Sequence, residues 1–283
     1  MKYVPLHLHT EYSLLDGAIK IKDLFNFAKD NDMPAVAITD HGTMYGIIEF
    51  YLQGKEVPEV KPLLGCEFYI CEGDVINDKT TKKTLNHLVL IAKNNEGYQN
   101  LIKLDSIAAT QAYYYKPRIN REMLKEHSKG LICLSACVQG ELAYKTLYAS
   151  EEEAYEVAKW YKELFGEDYY IEIQDHGLVE QKRSNPTLIK IAKELDIPLV
   201  ITNDSHYLMK EDAEWHDTLL CEQTKSLKND PNRFKFSNNE FYVKTVEELR
   251  RAFDWLDDDM FNKAIENTVK ISEKCDVKIE LGK

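Results

Sequence analysis

The chain has 283 residues, of which 44% are apolar, long enough to bury a substantial core without disulfides or structural staples. Thirty-six basic and 48 acidic side chains leave a net charge of −12, which argues against a basic face for gripping duplex DNA. No apolar run approaches the roughly 20 residues that span a membrane, and the start, MKYVPLHLHT, lacks the apolar core of a signal peptide. The 6 cysteines form no CxxC pair, so they read as free thiols of a reducing, cytoplasmic protein.

Taken in chain order, short apolar runs predict strands at Tyr3–His9, Ala35–Thr39, Pro62–Ile70, His87–Ala92, Leu131–Ser135, Tyr169–Ile173 and Leu199–Asn203. Amphipathic stretches between them predict helices, among them IKDLFNFAKDND, MYGIIEFYLQG, GYQNLIKLDSIAAT, EEEAYEVAKWYKELFG and TLIKIAKELD. Strands apolar on both faces, alternating with helices, imply a mostly parallel sheet with right-handed crossovers. About seven such units suggest a closed, irregular α/β barrel, with a doubly wound open sheet as the alternative. The polar stretch from Cys71 to Thr84 reads as an exposed hairpin tip or loop. After Tyr207 the pattern changes to a helix at AEWHDTLLCEQT, a polar turn, a short FYVK strand and two further helices. The chain therefore reads as one domain over 1–283, with a barrel core at 1–207 and a C-terminal α/β appendage at 208–283.

Histidines and acids concentrate where these strands end. His7 and His9 are two apart on a strand and share a face. His41 in ITDHG, Cys137 in LSAC, and Asp204 and His206 in TNDSH each follow an apolar run. Asp16 lies in the first loop. In an α/β barrel these positions fall on the rim that carries active sites. Glu67 lies inside its run, where an unpaired carboxylate is costly. His87 begins its run, the wrong end of a parallel strand; it reaches the rim if the chain overshoots at GCEFYIC and returns through the polar hairpin. Each residue has an ordinary alternative: a satisfied core histidine, a turn or capping aspartate, a buried thiol. Together they point to a metal cluster.

The stretches HLHTEYSLLDG, ITDHGTMYG, PLLGCEFY, NHLVLIAKNNEGYQNL, YYKPRI, LSACVQGEL, QDHG and TNDSHYL resemble the polymerase and histidinol phosphatase (PHP) domain, and more narrowly the PHP domain that begins bacterial DNA polymerase III alpha subunits. The likeness continues through DPNRFKF, FYVKTVEEL and AIENTVKISEKCDVKIEL. It implies a distorted (β/α)7 barrel holding two or three divalent ions on His7, His9, Asp16, His41, Glu67, His87, Cys137, Asp204 and His206. It also implies metal-dependent phosphoesterase chemistry, often 3′–5′ exonuclease proofreading, carried by a metal-activated hydroxide rather than a protein nucleophile. The partners would be a single-stranded DNA 3′ end, the rest of the alpha subunit and other replisome subunits, in a bacterial cytoplasm. No polymerase region lies within these residues, so the chain alone should not polymerise. The other readings are a non-catalytic, metal-stabilised module and a stand-alone phosphatase acting on histidinol phosphate or pyrophosphate.

Histidines with carboxylates suit Zn²⁺, Mn²⁺ or Fe²⁺. Glu67 is assigned as the bridging carboxylate, with Asp204 beside it at the reacting centre. His7, His9 and Asp204 are grouped as one pair of sites with His206 and Asp16 nearby, and His41, His87 and Cys137 as a further site. Arg118, Lys116 and His176 are assigned to substrate phosphate, and Asp40 to orienting a ligand histidine.

Overall fold

The fold, a computed structural model, is described for residues 1–79 and 84–282. Seven strands form one sheet: β1 (Ala35–Ile38), β2 (Lys61–Ile70), β3 (Asn86–Ala92), β4 (Arg118–Ile119), β5 (Leu131–Leu134), β6 (Tyr169–Ile173) and β7 (Leu199–Ile201). The order is β1-β2-β3-β5-β6-β7, with β4 paired to the end of β2. All pairings are parallel except those of β3, which runs antiparallel to both β2 and β5.

The N-terminal segment, residues 4–9, closes the sheet into a distorted barrel. On one side Ala37 N–H donates to Pro5 O at 2.9 Å and Thr39 N–H to Leu8 O at 3.1 Å. On the other, His9 N–H donates to Ser205 O at 2.8 Å and Ser205 N–H to His7 O at 3.2 Å. The expected strand Tyr3–His9 thus occupies a strand's place without a regular ladder. Side chains have replaced backbone acceptors: Val4 N–H donates to Thr268 Oγ1 and Leu8 N–H to Thr39 Oγ1. Pro5 has no N–H to offer.

Strand alternation sorts the apolar side chains into two sets. Leu6, Ala35, Ala37, Leu63, Val89, Ile91, Ile132, Leu134 and Val200 pack together with Ile271 of the last helix and Cys275 just beyond it, filling the barrel. The opposite faces, including Val36, Leu64, Leu90, Cys133 and Ile171, pack against the surrounding helices. Six of those helices lie close to the expected amphipathic stretches, at Ile21–Asp30, Ile47–Glu56, Asn95–Thr110, Glu151–Phe165, Val179–Glu194 and Ala213–Thr224. Val179–Glu194 begins earlier than expected and carries Pro186 inside it. Arg121–His127 and Glu141–Tyr148 were not expected; with 7 and 8 residues they are too short for a clear period.

Beyond Tyr207 the last two helices, Val246–Ala252 and Asp258–Lys274, are present. FYVK forms only a bridge, Tyr242 to Tyr207. Asn203 Nδ2 and Ser205 Oγ both donate to Tyr242 O, so side chains again take the place of ladder bonds. Of the polar Cys71–Thr84 stretch, residues 80–83 lie outside the described residues. The described part is not wholly exposed: Val75 is buried. Among the described residues no helix is long and apolar enough to cross a membrane.

Arg118 corrects one expectation. It is 1% exposed, and its guanidinium donates to the carbonyls of Ala112 at 3.0 Å, Val75 at 2.7 Å and Asp78 at 3.3 Å. Nε and Nη2 are committed to the backbone, so it clamps two loops rather than gripping phosphate. Arg118→Met should cost about 2–4 kcal/mol of stability, because charged hydrogen bonds are lost and buried carbonyls are left unpaired. Urea unfolding would measure this, and an unchanged midpoint would contradict the clamp.

Candidate metal centre

The barrel's antiparallel strand is what assembles the site. β2 and β3 pair with Tyr69 opposite His87 and Glu67 opposite Val89. Reversal of the chain therefore brings His87 in at the rim, as the overshoot-and-return reading requires. His41 follows β1 and bridges Glu67 in parallel register, with Gly42 N–H donating to Glu67 O at 2.7 Å. His7 and His9 come from the closing segment, and Asp204 and His206 from the turn after β7. Asp204 sits at φ +43, a left-handed conformation that aspartate tolerates.

Glu67 lies at the centre, 1% exposed. Its Oε1 is 3.0 Å from His7 Nε2 and 2.9 Å from His87 Nδ1. Its Oε2 is 2.5 Å from His41 Nδ1 and 3.8 Å from His9 Nε2. Asp204 Oδ1 is 3.0 Å from His9 Nε2 and 3.3 Å from His7 Nε2. Asp16 faces His41 Nε2 at 3.4 Å and His206 Nε2 at 3.9 Å. Despite these short separations, both Glu67 oxygens, His7 Nε2, His41 Nδ1 and Asp16 Oδ1 have no hydrogen-bond partner. The atoms are close but misaligned for bonding to one another. A buried polar atom left this way costs about 1–3 kcal/mol, and here five occur in one cluster. Cations shared among those atoms would satisfy them.

The surrounding hydrogen bonds fix which ring nitrogens are free. Ser13 Oγ donates to Asp40 Oδ1 at 2.7 Å and accepts from His41 N–H at 3.1 Å, so at 3.2 Å it accepts from His9 Nδ1–H. That turns His9 Nε2 toward Asp204 Oδ1, 3.0 Å away, so the two atoms stand together as ligand positions. His7 Nδ1 donates to Glu172 Oε2 at 2.9 Å, and His206 Nδ1 to Asp204 O at 2.8 Å, which turns both Nε2 atoms toward the cluster. Burial works against charge on His7, but Asp204, Glu172 and Glu67 hold it well above its usual range, so a cation would displace a proton there. This is the arrangement of histidines that ligate metal.

Among the described residues three sets of ligand atoms converge: His7, His9 and Asp204; His41, Glu67 and His87; and His9, His41 and His206, each within 4.8 Å. His9 belongs to two sets but has one free nitrogen, so a cation in one set takes it from the other. Cys137 Sγ lies 3.7 Å from His87 Nδ1, beside the second set. Burial, with Asp204 and Glu67 nearby, holds its thiol well above the usual range.

The protonation state is also suited to cations. Burial alone would raise Glu67, but His87, His41 and His7 hold it well below the usual carboxylate range. Burial likewise opposes ionisation of Asp204 and Asp16, and neighbouring histidines reverse it. Burial, with the His41 and His206 rings, drives His9 down to about 3, so it stays neutral. Burial works against charge on His41 too, but Glu67 and Asp16 raise it to about 10. A proton on His41 must leave before a cation can bind that nitrogen. Uptake of Zn²⁺ by the metal-free chain near neutral pH should therefore release protons, and binding should weaken as pH falls. Indicator-dye titration would show it; uptake without proton release would contradict the assignment.

Two other expectations change. Asp40 does not orient His41. It accepts from Thr10 N–H, Thr10 Oγ1 and Ser13 Oγ, and so acts through Ser13 on His9. His176 is 2% exposed and donates Nε2–H to Asn203 O at 2.7 Å while Gln181 donates to its Nδ1, so it braces the turn before Asp204 rather than meeting substrate. Lys116 remains part-exposed, its ammonium 5.0 Å over the Tyr69 ring. Two supporting residues were missed. Glu172 accepts from His7, from Ala136 N–H at 2.8 Å and from Thr202 Oγ1 at 2.5 Å. Its signal was the same as that of Glu67, an acid inside an apolar run, YYIEI. His216, in the helix after Asp212, donates Nε2–H to Asp16 O at 2.6 Å; nothing local in the sequence marks it.

The PHP domain matches residues 5–176. The chain belongs to the PHP domain family. This PHP domain is 46% identical over 294 residues to the DNA polymerase III subunit alpha of Deinococcus radiodurans, covering 100% of the chain and 22% of that protein. It is 43% identical over 277 residues to the corresponding protein of Borreliella burgdorferi, covering 97% of the chain and 24% of that protein. It thus spans about a quarter of the length of the curated relatives it matches. A solved two-domain protein from Bacteroides vulgatus, containing a predicted PHP-like metal-dependent phosphoesterase, aligns over 76% of this chain and 55% of its own with TM-score 0.47 and 13% identity.

Glu172→Gln should leave the PHP domain folded and lower its metal affinity roughly 10–100-fold, since the loss is of orientation at His7. Competition against a chromophoric chelator would read this, and unchanged affinity would contradict the role.

Proposed function

We propose that this PHP domain is the metal-dependent phosphoesterase module of a bacterial replicative DNA polymerase III alpha subunit, removing nucleotides from a single-stranded 3′ end. One observation carries the reading: a buried Glu67 whose two oxygens, both unpartnered, face opposite pairs of histidines. A carboxylate placed so is suited to bridging two cations.

His7, His9 and Asp204 would hold one ion, and His41, Glu67 and His87 another, with Cys137 beside it. A third would draw on His206 and Asp16, with His41 available to it only in place of the second ion, since a neutral imidazole offers one lone pair. Divalent ions held there would supply Lewis-acid stabilisation of phosphoryl oxygens and an activated water. The chain's own residues fix the geometry. Glu172 holds His7, Ser13 and Asp40 hold His9, and His216 holds the backbone of Asp16. Lys116, part-exposed and over the Tyr69 ring that borders His41 and His87, would meet substrate phosphate. The acidic balance of the chain makes these bound cations the means by which a polyanion approaches. The reading places the chain with the rest of the alpha subunit, in a bacterial cytoplasm.

The test measures metal content and degradation of a single-stranded oligonucleotide by the purified chain, beside pyrophosphate and p-nitrophenyl phosphate. The expected result is loss of terminal nucleotides by the wild-type chain and at least a 100-fold loss of rate in Glu67→Ala, in line with removal of a charge-stabilising group. Equal rates in both would mean a contaminating nuclease. Bound metal without turnover would instead favour a stabilising module, and turnover of pyrophosphate alone a small-molecule phosphatase. In every case where metal binds the folded chain alone, chelation should lower the melting temperature.

A further inference from the structure

The turn before β4 carries a cost that the barrel does not explain. Tyr115 sits at φ +61, in the left-handed region that a bulky side chain avoids and glycine adopts freely. Core packing does not compensate, because the ring is 71% exposed; Tyr113, two residues earlier, is 53% exposed. Strain of this kind persists only where the surroundings enforce it, and it gathers at working sites.

The surroundings do enforce it. Arg118, buried and bonded to three carbonyls, anchors one end of the turn, with the Tyr114 ring 5.3 Å from its guanidinium carbon. Tyr114 and Lys116 are bridged across the turn. Pro117 packs so close to Gly42 that a Cβ there would stand 2.6 Å from Pro117 Cγ, which locks the turn against the residue following His41. From Lys116 a line of contacts leads inward: its ammonium is 5.0 Å over Tyr69, whose ring lies 6.1 Å from that of His41 and 5.3 Å from that of His87.

An exposed aromatic ring held at a strained position, one residue from a cation at the edge of a phosphate-handling cluster, has the parts of a nucleotide-end clamp. Aromatic faces stack bases without regard to sequence, and a lysine meets the adjoining phosphate as a point charge. We infer that Tyr115 is a stacking platform for the terminal base of a single strand, with Lys116 countering its phosphate. The inference rests on the phosphoesterase reading for the chemistry, but the binding it asserts is measured separately.

The experiment compares wild-type chain, Tyr115→Gly and Tyr115→Phe by fluorescence anisotropy in Ca²⁺. Two probes are used: a short 5′-fluorescein oligothymidylate, and the same strand with an abasic 3′-terminal nucleotide. The expected result is about tenfold weaker binding of the ordinary strand by Tyr115→Gly, retained binding by Tyr115→Phe, and equal binding of the abasic strand by all three. Tyr115→Gly should melt at the same temperature or higher, since strain is relieved, so weaker binding would not be misfolding. Equal binding of the ordinary strand by wild type and Tyr115→Gly overturns the platform, as does an equal loss on the abasic strand, or no measurable wild-type binding. If the pattern holds while the wild-type chain degrades no DNA, the platform stands and the hydrolase reading alone falls.

Discussion

The structure turns on a single carboxylate buried among imidazoles. Burial disfavours the charge of Glu67, and the neighbouring His87, His41 and His7 hold it well below the usual carboxylate range. An arrangement that costs this much without cations, and leaves both oxygens unbonded, makes sense as a site completed by them. The other ligands stand around that carboxylate, and the rest of the barrel serves to bring them there.

The irregularities of the barrel are where this is done. A regular parallel barrel would put His87 at the wrong end; running β3 antiparallel between β2 and β5 puts it beside Glu67. A regular first strand would bond its backbone to both neighbours. Instead Thr39 Oγ1 takes the Leu8 N–H and Thr268 Oγ1 the Val4 N–H. The segment carrying His7 and His9 is thereby fixed by side chains as well as by the sheet. The last part of the chain contributes too: Phe241 O accepts from His206 N–H at 2.8 Å, and His216 binds the backbone of Asp16. The region beyond Tyr207 is therefore a wall of the site as well as a cover on the barrel.

Much of this was legible in the sequence. The strands are nearly all apolar, and the ligand-type residues follow them, so convergence on one rim could be read before any coordinates. Glu67 and His87, which fit a simple parallel pattern badly, were the residues that pointed to the reversed strand. What escaped was the support. Asp40 stands next to His41 in sequence, but its partners are Thr10 and Ser13, about 30 residues away. Arg118 and His176 look like anion-binding residues by type, yet burial commits their donors to backbone carbonyls. Residue type states what a side chain can bond; long-range packing decides what it does bond, and a single sequence carries little of that.

The central claim concerns ions held by Glu67, so the direct measurement is anomalous diffraction above and below the zinc, iron and manganese edges from crystals of this chain. The account predicts at least two anomalous peaks beside Glu67, one coordinated by His7, His9 and Asp204 and the other by His41 and His87. A cluster that stays free of anomalous density after soaking in these metals, with Glu67 hydrogen-bonded to the surrounding imidazoles, would contradict it.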